Sequence, residues 1–320
     1  MKRKNIFISI LLTLLLVLVL TGCDNKTTKK RVDLNTNTNT TTTKSNNTSS
    51  STDVTSIITN IITTVNSGYK VEGLPLGVST NDSTTINLIK NYYSNLNLDY
   101  LIKNTGDTQK NTLKSFLKQT AKNLSKQKYD TLKTQLCSSD AVPGNTTKIR
   151  LFYSQDIVNA KWDSAKTWNR EHVYAKSVGG YKESDTPSAD LHDMRPTYTR
   201  VNSTRGNDPF GIVQNRNSYK VIADFGTTVS GYSNGGVFEP IDAVKGDVAR
   251  IIFYISIMYY KEYSIDILKM TATKNVQLFL DWNREDPVDS YEIYRNNYIQ
   301  GYQGNRNPFI DFPDLADYIW

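Results

Sequence analysis

The chain contains two histidines, His172 and His192. Imidazole is the side chain whose ordinary pKa lies nearest neutrality, so these two are the candidates for proton transfer by imidazole. His172 follows Glu171, and His192 lies in Asp190-Leu191-His192-Asp193. Spacing alone does not separate a catalytic histidine from one packed in a core. Metal chemistry is more selective. A zinc site needs three or four ligands, mostly nitrogen or sulfur, and His172, His192 and the distant Cys137 show no paired-ligand spacing. A hard cation takes oxygen ligands. The Glu171 carboxylate and the side-chain carbonyl of Asn202 offer two, leaving water and a phosphate oxygen to complete an octahedron, which suits magnesium. In a regular strand Glu171 and His172 point to opposite faces, so a shared site requires a bulge or a strand end.

The elements that must carry these residues follow from pattern. Residues 148–153 alternate as a strand. Residues 168–177 and 189–196 read as two further short strands, joined by a loop with Gly179, Gly180 and Pro187. Pro196 is expected to end the second, and residues 199–205 to form a helix stopped by Gly206 and Pro209. This gives strand, loop, strand, helix around every unusual polar residue. Upstream, apolar spacing over 57–65 predicts a short amphipathic helix, 67–83 is turn-rich, and 86–136 reads as two or three helices of a packed layer. Downstream, Val244, Val248, Ile251, Ile252 and Ile255 place one strong core helix over 242–260.

These segments carry a resemblance. Trp168-Asn169-Arg170-Glu171-His172-Val173, then Ala189-Asp190-Leu191-His192-Asp193-Met194-Arg195-Pro196, then Val201-Asn202-Ser203-Thr204-Arg205-Gly206-Asn207-Asp208-Pro209-Phe210-Gly211 resemble the core of the bacterial endonuclease I family. That family consists of secreted or periplasmic nucleases built on the His-Me finger, also called the ββα-metal motif. Lys245-Gly246-Asp247-Val248-Ala249-Arg250, Trp282-Asn283, Glu292, Arg295-Asn296 and the 303–311 segment resemble its later helix and C-terminal region. The resemblance runs from about residue 92 to 320.

Carried over residue by residue, the resemblance implies that His172 is the general base that activates water. It implies that Glu171 and Asn202 hold a single divalent cation, magnesium first, with manganese or calcium as alternatives. A phosphodiester resists hydrolysis because water is a poor nucleophile and an alkoxide a poor leaving group, and a base with a metal addresses both. Arg205, one helical turn after Asn202, is a candidate catalytic residue facing a phosphate, with a structural ion pair as the alternative. His192 and Arg195 are expected to support the site, by orienting a site residue or contacting phosphate. The 303–311 segment reads as a structural hydrogen-bonded loop. The family's Pro-Gln after the base is Ala175-Lys176 here, and the histidine of its C-terminal Asp-His-Pro is Phe312.

The N-terminus sets the location. Lys2, Arg3 and Lys4 precede an apolar run over 6–20 and then Leu20-Thr21-Gly22-Cys23. Such a run reaches only about 22 Å as a helix, short of the roughly 30 Å hydrocarbon core, so a signal peptide is the better reading. Leu20 to Cys23 resembles the bacterial lipobox, which implies acylation of Cys23 and attachment to the membrane through lipid, with the protein outside the bilayer. From Asn35 to Thr52 every residue except Lys44 is Ser, Thr or Asn, a tether with nothing to bury. The expected organisation is a signal peptide over 1–22, lipidated Cys23 and tether over 23–53, an extension of unassigned role over 54–91, and a nuclease-like domain over 92–320. The fold class is α+β, a helix-rich single domain built around a ββα-metal finger.

Charge adds little. The net charge of +7 over 320 residues would suit a polyanion partner, yet eight of the 38 basic and three of the 31 acidic residues precede Val54, leaving +2 beyond it. With only Cys23 and Cys137 there is no disulfide framework. The expected activity is metal-dependent hydrolysis of DNA, with RNA left open, and with little sequence preference if contacts go to phosphates. The alternative is a noncatalytic nucleic-acid-binding or adhesin-like lipoprotein on the same fold. No protein partner is expected.

Overall fold

The computed structural model describes residues 68–72, 74–95, 107–121, 125–223, 225–226, 228–260 and 262–320. The signal segment, Cys23, the tether and the 57–65 helix lie outside the described residues. No helix among the described residues is long and apolar enough to cross a membrane.

Ten helices and ten strands, in four small antiparallel sheets, are found among the described residues. The 67–83 stretch, expected to be turn-rich, contains a hairpin of β1 (Tyr69–Val71) and β2 (Leu74–Val78). Helix α1 (Ser83–Tyr92) starts where the Asp82 carboxylate accepts from the Thr85 amide, and α2 (Asp107–Ala121) and α3 (Leu132–Ser139) complete three helices in the expected layer. Leu76, Val78 and Ile89 are buried in the common core, so the packed body extends N-terminally past the expected start at residue 92.

A three-stranded sheet follows, of β3 (Ala141–Val142), β4 (Asn145–Arg150) and β5 (Ile157–Asn159). Next come β6 (Trp168–His172), short helix α4 (Lys176–Gly179), β7 (Met194–Tyr198) and helix α5 (Thr199–Arg205). A third sheet joins β8 (Lys220–Ile222), β9 (Val229–Ser233) and β10 (Phe238–Glu239). The C-terminal part is helical: α6 (Lys245–Met258), α7 (Gln277–Glu285), α8 (Ser290–Gln303), α9 (Pro308–Asp311) and α10 (Leu315–Ile319). This mixture is α+β.

Helix α6 is the structural axis, because all its residues are buried, including Lys245, Asp247 and Arg250. A helix buried on every side needs partners for its charges. Arg250 forms a two-pronged pair with Glu292 at 2.7 and 2.6 Å and bonds Asn283 and the Asp286 carbonyl. Its neighbour Gly246 allows that approach, since a Cβ there would lie 1.9 Å from the Asp286 carbonyl oxygen.

Strands β6 and β7 pair without a register shift, from Trp168↔Tyr198 to Glu171↔Arg195 and His172↔Met194. The second strand is displaced from the expected 189–196. Residues 190–193 form a turn instead, in which the Asp193 and Met194 amides bond the Asp190 carbonyl and the His192 amide bonds the Asp190 carboxylate. Pro196 therefore sits inside β7. Its carbonyl accepts from the Phe152 amide, so its backbone faces away from β6 and the missing N–H removes no rung of the ladder.

Candidate active site

His172 is the last paired residue of β6, a strand end with no bulge, and its side chain and that of Glu171 leave the strand on opposite faces, as regular alternation requires. Both side chains are buried. The His172 Nε2 lies 3.0 Å from the carbonyl oxygen of Ser188, which can only accept, so Nε2 carries the proton and Nδ1 the lone pair. Ser188 belongs to a 3₁₀ turn, Thr186–Ala189, and its hydroxyl donates to the Glu183 and Asp185 carbonyls at 2.7 Å each. Burial pushes the imidazole down to about 3, nearby Lys176, Arg170 and Arg205 act in the same direction, and the Ser188 bond opposes them. The ring is neutral at physiological pH, which is the state a base must have.

Glu171 faces the other way from β6. Its Oε1 accepts from the Tyr153 hydroxyl at 2.8 Å and lies 3.6 Å from Arg205 Nη1. Burial raises its carboxyl above the usual carboxylate range, over the opposing pull of Arg205 and Tyr153. Its Oε2 has no hydrogen-bond partner among the described residues.

Helix α5 is pinned beneath β6 by two side chains one turn apart. Asn202 Nδ2 donates to the Arg170 carbonyl at 3.1 Å, which leaves Oδ1 as its remaining acceptor. Arg205 donates to the His172 carbonyl at 3.2 Å and the Val173 carbonyl at 2.8 Å. Asn202 is half-buried and Arg205 fully buried, with its guanidinium 4.9 Å above the Phe210 ring. The candidate phosphate contact at Arg205 is thereby replaced by its alternative: the guanidinium holds the backbone of the strand end and the Glu171 carboxylate from behind.

Arg195 is likewise drawn inward. It is 3% exposed, 3.0 Å from Asp140 and 3.4 Å from Asp247, over the Phe152 ring, and so offers no guanidinium to a phosphate. His192 is buried with Nε2 3.3 Å from the Asn305 carbonyl and its ring 4.6 Å from Tyr254. Burial pushes it down to about 4. It packs in a knot where Asp190 accepts from Tyr254, Tyr259 and Gln303, and where Arg295 bonds the Leu191 and Met194 carbonyls. The 303–311 segment forms the far side of this knot, as its polar residues suggested.

Sequence reasoning missed Tyr129, Tyr153, Arg170 and Ser188. Tyr129 stacks on His172 with centroids 5.8 Å apart, and the Arg170 guanidinium lies 4.0 Å over the same ring while donating to the Tyr129 carbonyl. Arg170 stood inside a quoted motif and alternates onto the face of His172, which was the available signal. Tyr129 and Ser188 are brought in by loops and carry no local signature.

No group of three or more His, Cys, Asp or Glu side chains converges as a metal cage among the described residues. The oxygens left over, Glu171 Oε2 and Asn202 Oδ1, are of the chemical kind that a hard cation takes.

Residues 105–314 match the family model described as Endonuclease I. The chain is 37% identical over 220 residues to an extracellular ribonuclease of Bacillus amyloliquefaciens, covering 65% of this chain and 73% of that one. It is 36% identical over 228 residues to an extracellular ribonuclease of Bacillus subtilis (strain 168), covering 68% and 75%. An extracellular deoxyribonuclease of Aeromonas hydrophila is 29% identical over 140 residues, covering 42% and 54%. A family match over most of the packed body, around a buried neutral histidine beside a carboxylate, leaves one assignment: this chain belongs to the endonuclease I family of nucleases.

Proposed function

We propose that the protein is a metal-dependent endonuclease that hydrolyses phosphodiester bonds of RNA and DNA with little sequence preference. The observation that carries this reading is the Ser188 carbonyl on His172 Nε2, which fixes the tautomer with Nδ1 as base. The greater identity to two ribonucleases than to the deoxyribonuclease supports RNA as a substrate beside DNA. Strands β6 and β7 with α5 are taken as the ββα-metal finger.

In this mechanism His172 Nδ1 takes a proton from the attacking water, and the stacked Tyr129 ring with the Ser188 bond hold the imidazole in place. Glu171 and Asn202 would hold one divalent cation, magnesium first. When bound, that ion supplies Lewis-acid stabilisation of the developing charge and of the leaving oxygen. Arg205 keeps the strand end fixed. Attack by water on phosphorus with cleavage of the P–O3′ bond, the O3′ oxygen leaving and taking up a proton, gives 5′-phosphate and 3′-hydroxyl ends, on RNA as on DNA. Cys23 is proposed as the lipid attachment point, placing the catalytic body outside the cell membrane.

The test is cleavage of supercoiled plasmid and single-stranded RNA with magnesium and with EDTA, beside His172→Ala. Degradation that needs both the metal and His172, with 5′-phosphate ends and no 2′,3′-cyclic phosphate, supports the reading. Absence of cleavage by the folded protein across magnesium, manganese and calcium would favour a binding module instead.

A further inference from the structure

Trp168, Arg170 and His172 alternate along β6 and share one of its faces. A continuous series of rings and cations runs along that face. Tyr129 stacks on His172, Arg170 lies over Tyr129 at 4.0 Å and over Trp162 at 5.6 Å, and Trp162 packs edge-on against Trp168 at 4.9 Å. The series ends at a cleft of about 420 Å³ lined by Trp168 with Lys148, Ile157, Asn159, Lys161 and Thr167.

The chemistry of the cleft is that of an anion site with an apolar wall. Lys148 bonds only the Asn159 amide oxygen, at 2.8 Å, and Lys161 has no carboxylate partner among the described residues. Ile157 is 55% exposed beside them. Two buried donors on the series, Trp168 Nε1 and Arg170 Nε, have no acceptor in the protein. Asp163 also lines the cleft, but its oxygens already accept from the Lys166 and Thr167 amides at 3.0–3.2 Å, so its charge is engaged within its own loop.

We propose that this cleft is a subsite for an unpaired nucleic-acid strand, with a backbone phosphate between Lys148 and Lys161 and a base on the half-buried Trp162 ring that adjoins the cleft through Trp168. Four residue steps of strand take the chain from Trp168 to His172, roughly 13 Å. That is the reach of a few nucleotides, so a strand in the subsite extends to the base along Arg170 and Tyr129. Stacking platforms interleaved with cations are the means by which unpaired strands are held without sequence preference. The assignment rests on the nuclease reading of the His172 site and deepens it.

The experiment measures fluorescence anisotropy of a labelled 12-nucleotide single-stranded DNA on the whole chain in EDTA, across a salt series. It compares wild type with Lys148→Ala/Lys161→Ala, with the shape-preserving Lys148→Gln/Lys161→Gln, and with Trp162→Ala. Each lysine pair variant should weaken binding about tenfold and reduce the salt slope by about 1.4, the value for two phosphate contacts on a single strand. With magnesium, KM for a 12-nucleotide substrate should rise by a similar factor while kcat stays within twofold, and cleavage of a dinucleotide substrate should be unchanged. Wild-type affinity and slope in both lysine pair variants would overturn the subsite while leaving the nuclease reading intact. Lysine-dependent binding by a protein that cleaves nothing would sustain the subsite and remove the nuclease reading.

Discussion

Arg205 reaches back thirty-two positions to donate from Nη2 to the Val173 carbonyl at 2.8 Å, and the same guanidinium lies 3.6 Å from Glu171. A residue one helical turn from Asn202 therefore fixes the point where β6 ends at His172. Arg205→Met should cost about 3 kcal/mol, because it leaves a buried carboxylate without its cation. Urea denaturation measures this, and a variant as stable as wild type would show that the fork holds nothing.

Tyr153→Phe removes one hydroxyl and leaves the packing, so it isolates the bond to Glu171 Oε1. Partners of a metal-binding carboxylate typically influence metal affinity by 10–100-fold. The magnesium concentration for half-maximal cleavage should rise by about tenfold, with the saturated rate much less affected. An unchanged magnesium requirement would separate Glu171 from the cation.

His192 makes stability depend on acid. Its folded-state pKa of about 4 lies below the ordinary histidine value, so the unfolded chain binds the proton first. Its contribution is complete above pH 6.5 and is lost as pH falls from there toward 4, up to roughly 3 kcal/mol. Melting curves from pH 8 to 4.5 for wild type and His192→Gln should converge as pH falls. Curves that stay parallel would mean that the ring keeps an ordinary pKa.

Gly246→Ala puts a methyl group 1.9 Å from the Asp286 carbonyl oxygen and 2.7 Å from the Arg250 guanidinium. One contact is backbone and cannot swing away, so the cost should be about 3 kcal/mol. Chemical denaturation at constant temperature reads it directly, and a loss below 1 kcal/mol would mean that α6 and the 286 turn can separate.

The strand, loop, strand, helix order around His172 was legible because alternation and a helix stop are local signals. The role of Glu171 and Asn202 as metal ligands is a proposal, while their positions, on the strand and the helix that local pattern located, were legible. The register of β7 was not, since Leu191 and Met194 mimic a strand while the Asp190 side chain turns the chain. The buried state of Arg195 and Arg205 was also hidden. Their partners Asp140 and Asp247, and the carbonyls of residues 172 and 173, arrive from elsewhere in the fold, and a charged side chain read alone looks solvated. The same holds for Ser188, whose contribution is a backbone carbonyl that any residue has.

The loop joining β6 and β7 hangs on residues made much later. Leu191 is held through its amide by Gln303 and through its carbonyl by Arg295, 112 and 104 positions downstream. A ribosome must pass residue 305 before the Asp190 knot can close, so a partly synthesised chain carries His172 and its neighbours without the frame that sets them. For a protein whose proposed substrates include RNA, the fold thus delays assembly of this frame until residues 295–305 have been made. Chains truncated at residue 290 should be inactive even when His172, Glu171 and Asn202 are all present, which a cleavage assay on the released fragment would check.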